Sequence, residues 1–240
     1  MSDKQSVPKH IHEFSKNAYR YVEHTALQQT IARELVAGIT SKPRNVMDLG
    51  CGSGAVYRNI TWELEAFVGV DSAQAMCERH PRSPLVRIVN ADFDAPAFWD
   101  NLTSSYDAII SSSALQWSSD IEQLLRHISF TCKEGAFAIF TDKTFQSVYE
   151  LSGLKTFLPH AKTLIQTCET YFTCKHEIKT FRLFFEDNLS LFRYIKKTGV
   201  SGGAKQLTFA QTKALIQNYP YDYLECEVLF IWGTPLNPSL

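Results

Sequence analysis

Three glycines at alternate positions, Gly50, Gly52 and Gly54, follow directly on the apolar run Val46-Met47-Asp48-Leu49 and lead into helix-compatible sequence from Ala55. No other feature restricts the fold as much, because it demands a strand, a tight turn and a helix start in immediate succession. Glycine adopts positive φ without steric cost and lets a ligand lie against bare backbone. The spacing is Gly-x-Gly-x-Gly and lacks the Gly-x-Gly-x-x-Gly pattern of dinucleotide sites. Asp48 stands two residues ahead of the first glycine. A carboxylate beside such a turn suits a cationic ligand better than a pyrophosphate.

The strand that ends in this turn, at about Arg44 to Leu49, is the first of several. Ala66–Asp71, Leu85–Asn90, Tyr106–Ser111 and Gly135–Phe140 are short apolar runs of the same kind. Helical patterns lie between them near Ala55–Glu63, Ala73–Glu78 and Ile121–Cys132. Strand and helix in alternation predict right-handed crossovers and a parallel, doubly wound sheet. Ahead of this core, residues 10 to 37 contain no Pro or Gly and carry Phe14, Ala18, Tyr21, then Leu27, Ile31 and Leu35 at helical spacing.

Behind the core, residues 145 to 172 read as helix broken at Gly153 and Pro159, and residues 175 to 186 alternate as a strand. Asp187 or Asn188 caps a helix that Gly199 ends, and Thr208-x-x-Gln211 is a capping box for a helix reaching Asn218. Glu225–Trp232 is expected as a last strand, antiparallel, at the far side of the sheet. The expectation is a single α/β domain with a Rossmann-like, doubly wound seven-stranded sheet. Its parts are an N-terminal helical segment (1–43), a cofactor-binding core (44–141), a helical insertion or lid (142–174) and C-terminal strands and helices (175–240).

Composition narrows the class of function. A formal net charge of -1 gives no global field for nucleic acid, and no basic tail is present. No apolar run approaches the roughly 20 residues needed to span a bilayer. Met1-Ser2-Asp3-Lys4-Gln5 lacks the apolar core of a signal peptide. A cytoplasmic protein, with neither membrane nor nucleic acid as partner, is expected. The six cysteines form no Cys-x-x-Cys pair and none stands at zinc-ligand spacing from a His, so reduced thiols and no metal are expected. Cys51 reads as a small filler of the turn.

Ligands of open α/β sheets bind beyond the carboxyl ends of the strands, at the switch point beside the first strand. Four such ends carry polar residues: Asp48, Asp71, Asp92-Phe93 and Ser111–Ser113. Asp71 lies 21 residues beyond Gly50, the interval of a carboxylate that bridges ribose hydroxyls, and Asp92 lies 21 further on, where it can accept from an adenine amino group while Phe93 flanks the ring. One Asp at a strand end commonly holds only a loop; three at successive ends, with the glycine turn, point to a nucleoside with a cationic tail, S-adenosylmethionine.

On these residues, 44 to 141 resemble a class I S-adenosylmethionine-dependent methyltransferase. The resemblance implies a seven-stranded sheet with its last strand antiparallel. It also implies that Asp48, Gly50 and Gly52 face the amino-acid part of the cofactor, Asp71 the ribose, and Asp92 and Phe93 the adenine, with Gly54 and Ser111 as further cofactor-binding candidates. The flanks are similar to the biotin-pathway malonyl-[acyl-carrier protein] O-methyltransferases: Phe14-Ser15-x-x-Ala18-x-x-Tyr21 with His24, Ser113-Ala114-Leu115-Gln116-Trp117, Phe145-x-x-Val148-x-Glu150-Leu151, and Phe184-Phe185-Glu186-Asp187-x-Leu189-Ser190 with Lys196 and Gly199. The loop Phe93-Asp94-Ala95-Pro96 lacks the family's Leu-Pro pair, and Val200-Ser201 replaces its Gly-Ala.

Under that resemblance the partner is an acyl carrier protein bearing a malonyl thioester, and Tyr21, His24, Gln116, Trp117, Arg193 and Lys196 are the substrate-orienting candidates. Trp117 could equally pack the core, Tyr21 and His24 could be an ordinary helix face, and Arg193, Lys196 and Lys197 could be a solvated stripe opposite Leu189, Phe192 and Ile195. A different small carboxylic acid, a quinone precursor, and a non-catalytic cofactor-binding protein remain open as alternatives.

Overall fold

The computed structural model describes residues 26–102, 105–198 and 207–236. Its centre is a seven-stranded sheet of order β3-β2-β1-β4-β5-β7-β6. The strands are β1 (Asn45–Leu49), β2 (Ala66–Asp71), β3 (Val86–Asn90), β4 (Tyr106–Ser112), β5 (Cys132–Phe140), β6 (Phe172–Phe184) and β7 (Tyr223–Pro235). β1 to β5 pair in parallel, and β7 runs antiparallel to both β5 and β6. The expected antiparallel last strand is therefore present, but one place in from the far edge, with β6 outside it. The side chains explain the order. Val228, Leu229, Phe230 and Ile231 of β7 are all buried, as a strand covered on both faces requires. β6 is exposed along much of its length and bears Lys175 and Lys179, which suits an edge.

Both faces of the sheet are covered. On one lies α1 (Ala26–Ala37), whose Leu27, Ile31 and Leu35 pack with Val46, Phe67 and Phe230. On the other, Met47, Leu49, Ile109 and Phe137 meet α5 (Ile121–Ser129), which contributes Leu125, and the insertion helix α7 (Ala161–Tyr171), which contributes Leu164 and Cys168. Neighbours in sequence, such as Ile109 and Ile110, divide between the two cores, as the period of two along a strand dictates. Truncating a fully buried residue such as Leu35 to Ala costs about 2–5 kcal/mol.

The remaining helices are short. α2 is Ala55–Asn59, α3 Gln74–Cys77, α4 Pro96–Asp100 and α6 Gln146–Ser152; α8 (Asn188–Thr198) and α9 (Phe209–Asn218) lie between β6 and β7. α2 stops well before Glu63 because the chain turns extended at Ile60. β5 begins at Cys132, three residues earlier than Gly135, so α5 ends at Ser129. Asp187 rather than Asn188 caps α8, its Oδ1 accepting from the Ser190 N–H at 2.6 Å. The Thr208–Gln211 capping box is formed. Phe14, Ala18, Tyr21, His24 and Gly199 lie outside the described residues.

α1 is fixed to the antiparallel end of the sheet. The Trp232 indole donates to the Leu35 carbonyl at 2.9 Å, and Lys179 lies 2.9 Å from Glu34. This anchorage holds the start of α1 over the carboxyl ends of the parallel strands, where Gln28 and Gln29 reach the site.

Candidate active site

β1 has β2 on one side and β4 on the other, and the crevice at this switch point is a cavity of about 490 Å³, within the range of small-molecule sites. Its floor is the glycine turn. Gly50 has φ of 73° and sits so close to the loop after β4 that a Cβ there would lie 2.2 Å from Cβ of Ala114. Gly52 has φ of 51°, yet a Cβ on it would meet nothing within 4 Å. The space beside Gly52 is the cradle itself.

Asp71 closes the turn onto the second strand end. Its Oδ2 accepts from the Gly52 N–H at 2.9 Å and its Oδ1 from the Ala73 N–H at 2.8 Å. Burial pushes its carboxyl up, and these two bonds partly offset that. Asp48 lies beneath the turn, fully buried, with neither carboxylate oxygen hydrogen-bonded among the described residues. Burial and the nearby Asp71 hold its pKa well above the usual carboxylate range. A buried carboxyl without a partner is costly, and a cationic ligand is what relieves it.

The cavity wall agrees in sign. Asp71, Asp92 and Asp94 line it, and no Lys, Arg or His is among the described lining residues. Acidic walls and a bare glycine cradle fit a sulfonium and an ammonium, and they oppose a pyrophosphate. Asp92 and Phe93 stand on the wall beyond β3, where Asp92 Oδ1 accepts from the Asp94 N–H at 2.9 Å. Where the Leu-Pro pair would stand, the Trp99 indole holds the loop instead, donating to the Phe93 carbonyl at 2.8 Å.

Three expected contacts lie elsewhere. Asp48 is under the turn and not on the wall. Gly54 caps α2 and faces Pro81 and His80, where its Cβ would meet them at 2.6 and 3.0 Å. Ser111 donates to the Leu49 carbonyl at 2.7 Å, which ties β4 to β1 and leaves its hydroxyl away from the cavity. Cys51 is buried and burial raises its thiol, as befits filler.

Asp94 was not anticipated. Its carboxylate accepts from the Ser118 hydroxyl at 2.5 Å and from the Ser119 N–H and hydroxyl at 2.6 and 2.8 Å, stapling the loop after β3 to the loop after β4. The sequence signal was present as a second Asp two residues past Asp92, opposite paired serines. Gln28 and Gln29 also line the cavity; Leu27-Gln28 belongs to the N-terminal motif that begins at Phe14, whereas nothing in the pattern of α1 distinguished Gln29 from a solvated face.

A second, smaller chamber of about 40 Å³ shares Gln28, Ser113 and Trp117 with the first. Gln116 lines it, together with Phe145, Tyr194 and Cys226. The structure thus brings Gln116 and Trp117 to the site. Trp117 also meets Phe157 of the insertion, ring centroids 5.4 Å apart. Arg193 and Lys196 line neither space: both side chains are exposed on α8, which buries Leu191 and Ile195 and leaves Leu189 46% exposed. They are not placed to clamp a substrate carboxylate in either cavity.

Residues 47–138 match a family model described as a methyltransferase domain. The chain is 27% identical over 206 residues to the malonyl-[acyl-carrier protein] O-methyltransferase of Bacteroides thetaiotaomicron, spanning 80% of this chain and 77% of that one. To the Halorhodospira halophila protein of the same name it is 34% identical over 152 residues, 58% of this chain and half the length of that relative. An S-adenosylmethionine-dependent methyltransferase of Thermotoga maritima superposes with a TM-score of 0.55 at 14% identity, covering 94% and 99% of the two chains. Fold, cradle and matches together define a class I S-adenosylmethionine-dependent methyltransferase. Within that class its curated relatives are malonyl-[acyl-carrier protein] O-methyltransferases of biotin synthesis. Among the described residues no helix is long and apolar enough to cross a membrane.

Proposed function

We propose that this chain methylates the free carboxylate of a malonyl thioester carried on acyl carrier protein, the opening step of pimeloyl-chain synthesis for biotin. When bound, S-adenosylmethionine supplies an electrophilic methyl group. The observation that carries the reading is the character of the two adjoining spaces. The larger is acidic and suits the cationic donor; the smaller is neutral, and no His, Lys or carboxylate is among its described lining residues. The residues that the two spaces share, Gln28, Ser113 and Trp117, include no carboxylate, His or Lys to remove a proton where donor and acceptor would meet. A carboxylate is already ionised at neutral pH and needs no base, whereas a ring carbon or an amine nucleophile does.

The protein's own part is then position and dryness. The backbone of Gly50 and Gly52 holds the amino-acid end, with the buried Asp48 carboxyl beneath the turn favouring its positive charge without touching it, Asp71 holds the ribose hydroxyls, and Asp92 with Phe93 the adenine. Trp117 and Ser113, shared by both spaces, stand between donor and acceptor and fix their approach. Excluding water from this junction unmasks the carboxylate.

Incubation with methyl-labelled S-adenosylmethionine and malonyl-carrier protein, beside free malonate, malonyl-CoA and aconitate, tests the proposal. Label on the carrier-linked substrate is expected. Cofactor binding with no label on any malonyl thioester would overturn it.

A further inference from the structure

Two residues lining the smaller chamber, Gln116 and Ser113, hold buried hydrogen-bonding groups, and the first of them is an acceptor that a carboxylate cannot satisfy. Gln116 is 8% exposed; its Nε2 donates to the Ser113 carbonyl at 2.8 Å, and its Oε1 is buried without a partner among the described residues. The carbonyl fixes which way the amide faces, since turning it over would set oxygen against oxygen. Ser113 Oγ is likewise buried and unpartnered. Ser113 holds φ of 62°, and its N–H is bonded to the Ala138 carbonyl at 2.8 Å, so both groups are mounted on a pinned turn. The chamber thus offers a fixed acceptor and a hydroxyl, on neutral and aromatic walls.

A carboxylate placed here would face Gln116 Oε1, acceptor against acceptor. A secondary amide answers both groups, its N–H to Gln116 and its C=O to the Ser113 hydroxyl. A cavity needs roughly 10–15 Å³ to hold one water-sized group, so about 40 Å³ leaves room for a small polar unit such as an amide. We infer that the chamber receives an amide of the acceptor's pantetheine arm, while the carboxylate stays at the junction of the two spaces, beside Ser113 and Trp117, next to the methyl donor. This rests on the proposed carrier-borne acceptor and adds to it how an arm-linked malonyl group is told from a free acid.

The test uses two small thioesters of malonate that differ in one atom: the N-acetylcysteamine thioester and its 2-acetoxyethyl counterpart, in which oxygen replaces the N–H. With the intact protein, kcat/KM for the ester is expected to be about tenfold lower, the penalty of leaving a buried acceptor unsatisfied. In Gln116→Met the amide-to-ester ratio should fall to about one, while binding of labelled S-adenosylmethionine is retained. Equal kcat/KM for the two thioesters in the unaltered protein overturns the amide assignment and leaves malonyl transfer standing. Methyl transfer to neither, with cofactor bound, overturns the acceptor itself and this inference with it. A ratio that survives Gln116→Met removes Gln116 from the role. Should that variant fail to fold, the thioester pair in the unaltered protein decides alone.

Discussion

The two spaces at the strand ends are built by opposite means. The larger is made of backbone, glycine and short acids supplied by consecutive strand ends from β1 to β4. The smaller is made of aromatic, amide and hydroxyl side chains gathered from α1, the loops after β4 and β5, α8 and β7. In the first, charge and bare main chain select a ligand class; in the second, shape and hydrogen-bond direction select among acceptors. Substitutions should therefore separate cleanly into those that cost the donor and those that cost the acceptor.

The largest separation is expected at Gly52. Its side of the cradle is open, so Gly52→Val should fold, losing about 1–2 kcal/mol for a branched residue at positive φ. Cofactor affinity, read by calorimetry, should fall by more than roughly a hundredfold because the new side chain fills the site. If affinity survives, the cradle lies elsewhere.

Asp48→Asn comes next, with a loss of cofactor affinity of about tenfold, the scale for removing a charge that lies near the cofactor's cations without touching them. Its effect on the free protein has the opposite sign. The folded pKa of Asp48 is raised, so the native state holds its proton more tightly than the unfolded chain. That contribution is fully present below the ordinary carboxylate pKa and is lost as pH rises through the raised value. Thermal unfolding without cofactor should show the Asn variant gaining on the unaltered protein as pH increases from 4 to 8. A constant difference would mean that Asp48 is not the titrating group.

On the acceptor side, Cys226→Met places a longer, adaptable side chain against the small chamber from β7. About a tenfold fall in kcat/KM for malonyl-carrier protein is expected, with cofactor affinity unmoved. Loss of both together would merge the two spaces into one functional unit.

The smallest effect should come from Arg193→Ala with Lys196→Ala. These exposed cations can touch a protein partner but not the chamber, so KM for the carrier-borne substrate should rise about two- to threefold, more so at low salt. KM for a small malonyl thioester should not change. A large effect on the small thioester would return Lys196 to the site.

The same contrast decides what was legible in the sequence. The cofactor side was readable because its chemistry is local. Glycine spacing and an acid at each strand end survive any detail of packing, and Gly50, Gly52, Asp71, Asp92 and Phe93 all stand at the cavity. Ser111 failed because a hydroxyl at a strand end can turn either toward a ligand or across to the neighbouring strand, and here it chose Leu49. The acceptor side joins Leu27 to Cys226, a neighbourhood that only the closed fold creates. Lys196 misled because Leu189, Phe192 and Ile195 form a plausible apolar stripe, yet α8 is docked by Leu191 and Ile195. The place of β7 was readable in principle: its unbroken Val-Leu-Phe-Ile run marks an inner strand, and the alternating, lysine-bearing β6 an edge.

The Asp94 staple has a thermodynamic corollary. It joins the loop that carries Asp92 and Phe93 to the loop that carries Ser113, Gln116 and Trp117, so donor and acceptor walls share one set of bonds. Whatever free energy the donor spends in ordering the first loop also orders the second. By linkage, the factor by which the donor tightens acceptor binding equals the factor by which the acceptor tightens donor binding. On the proposed function, such mutual reinforcement would favour holding both reactants together over holding either alone, and would make the demethylated donor and the methylated product cooperative inhibitors until one of them departs.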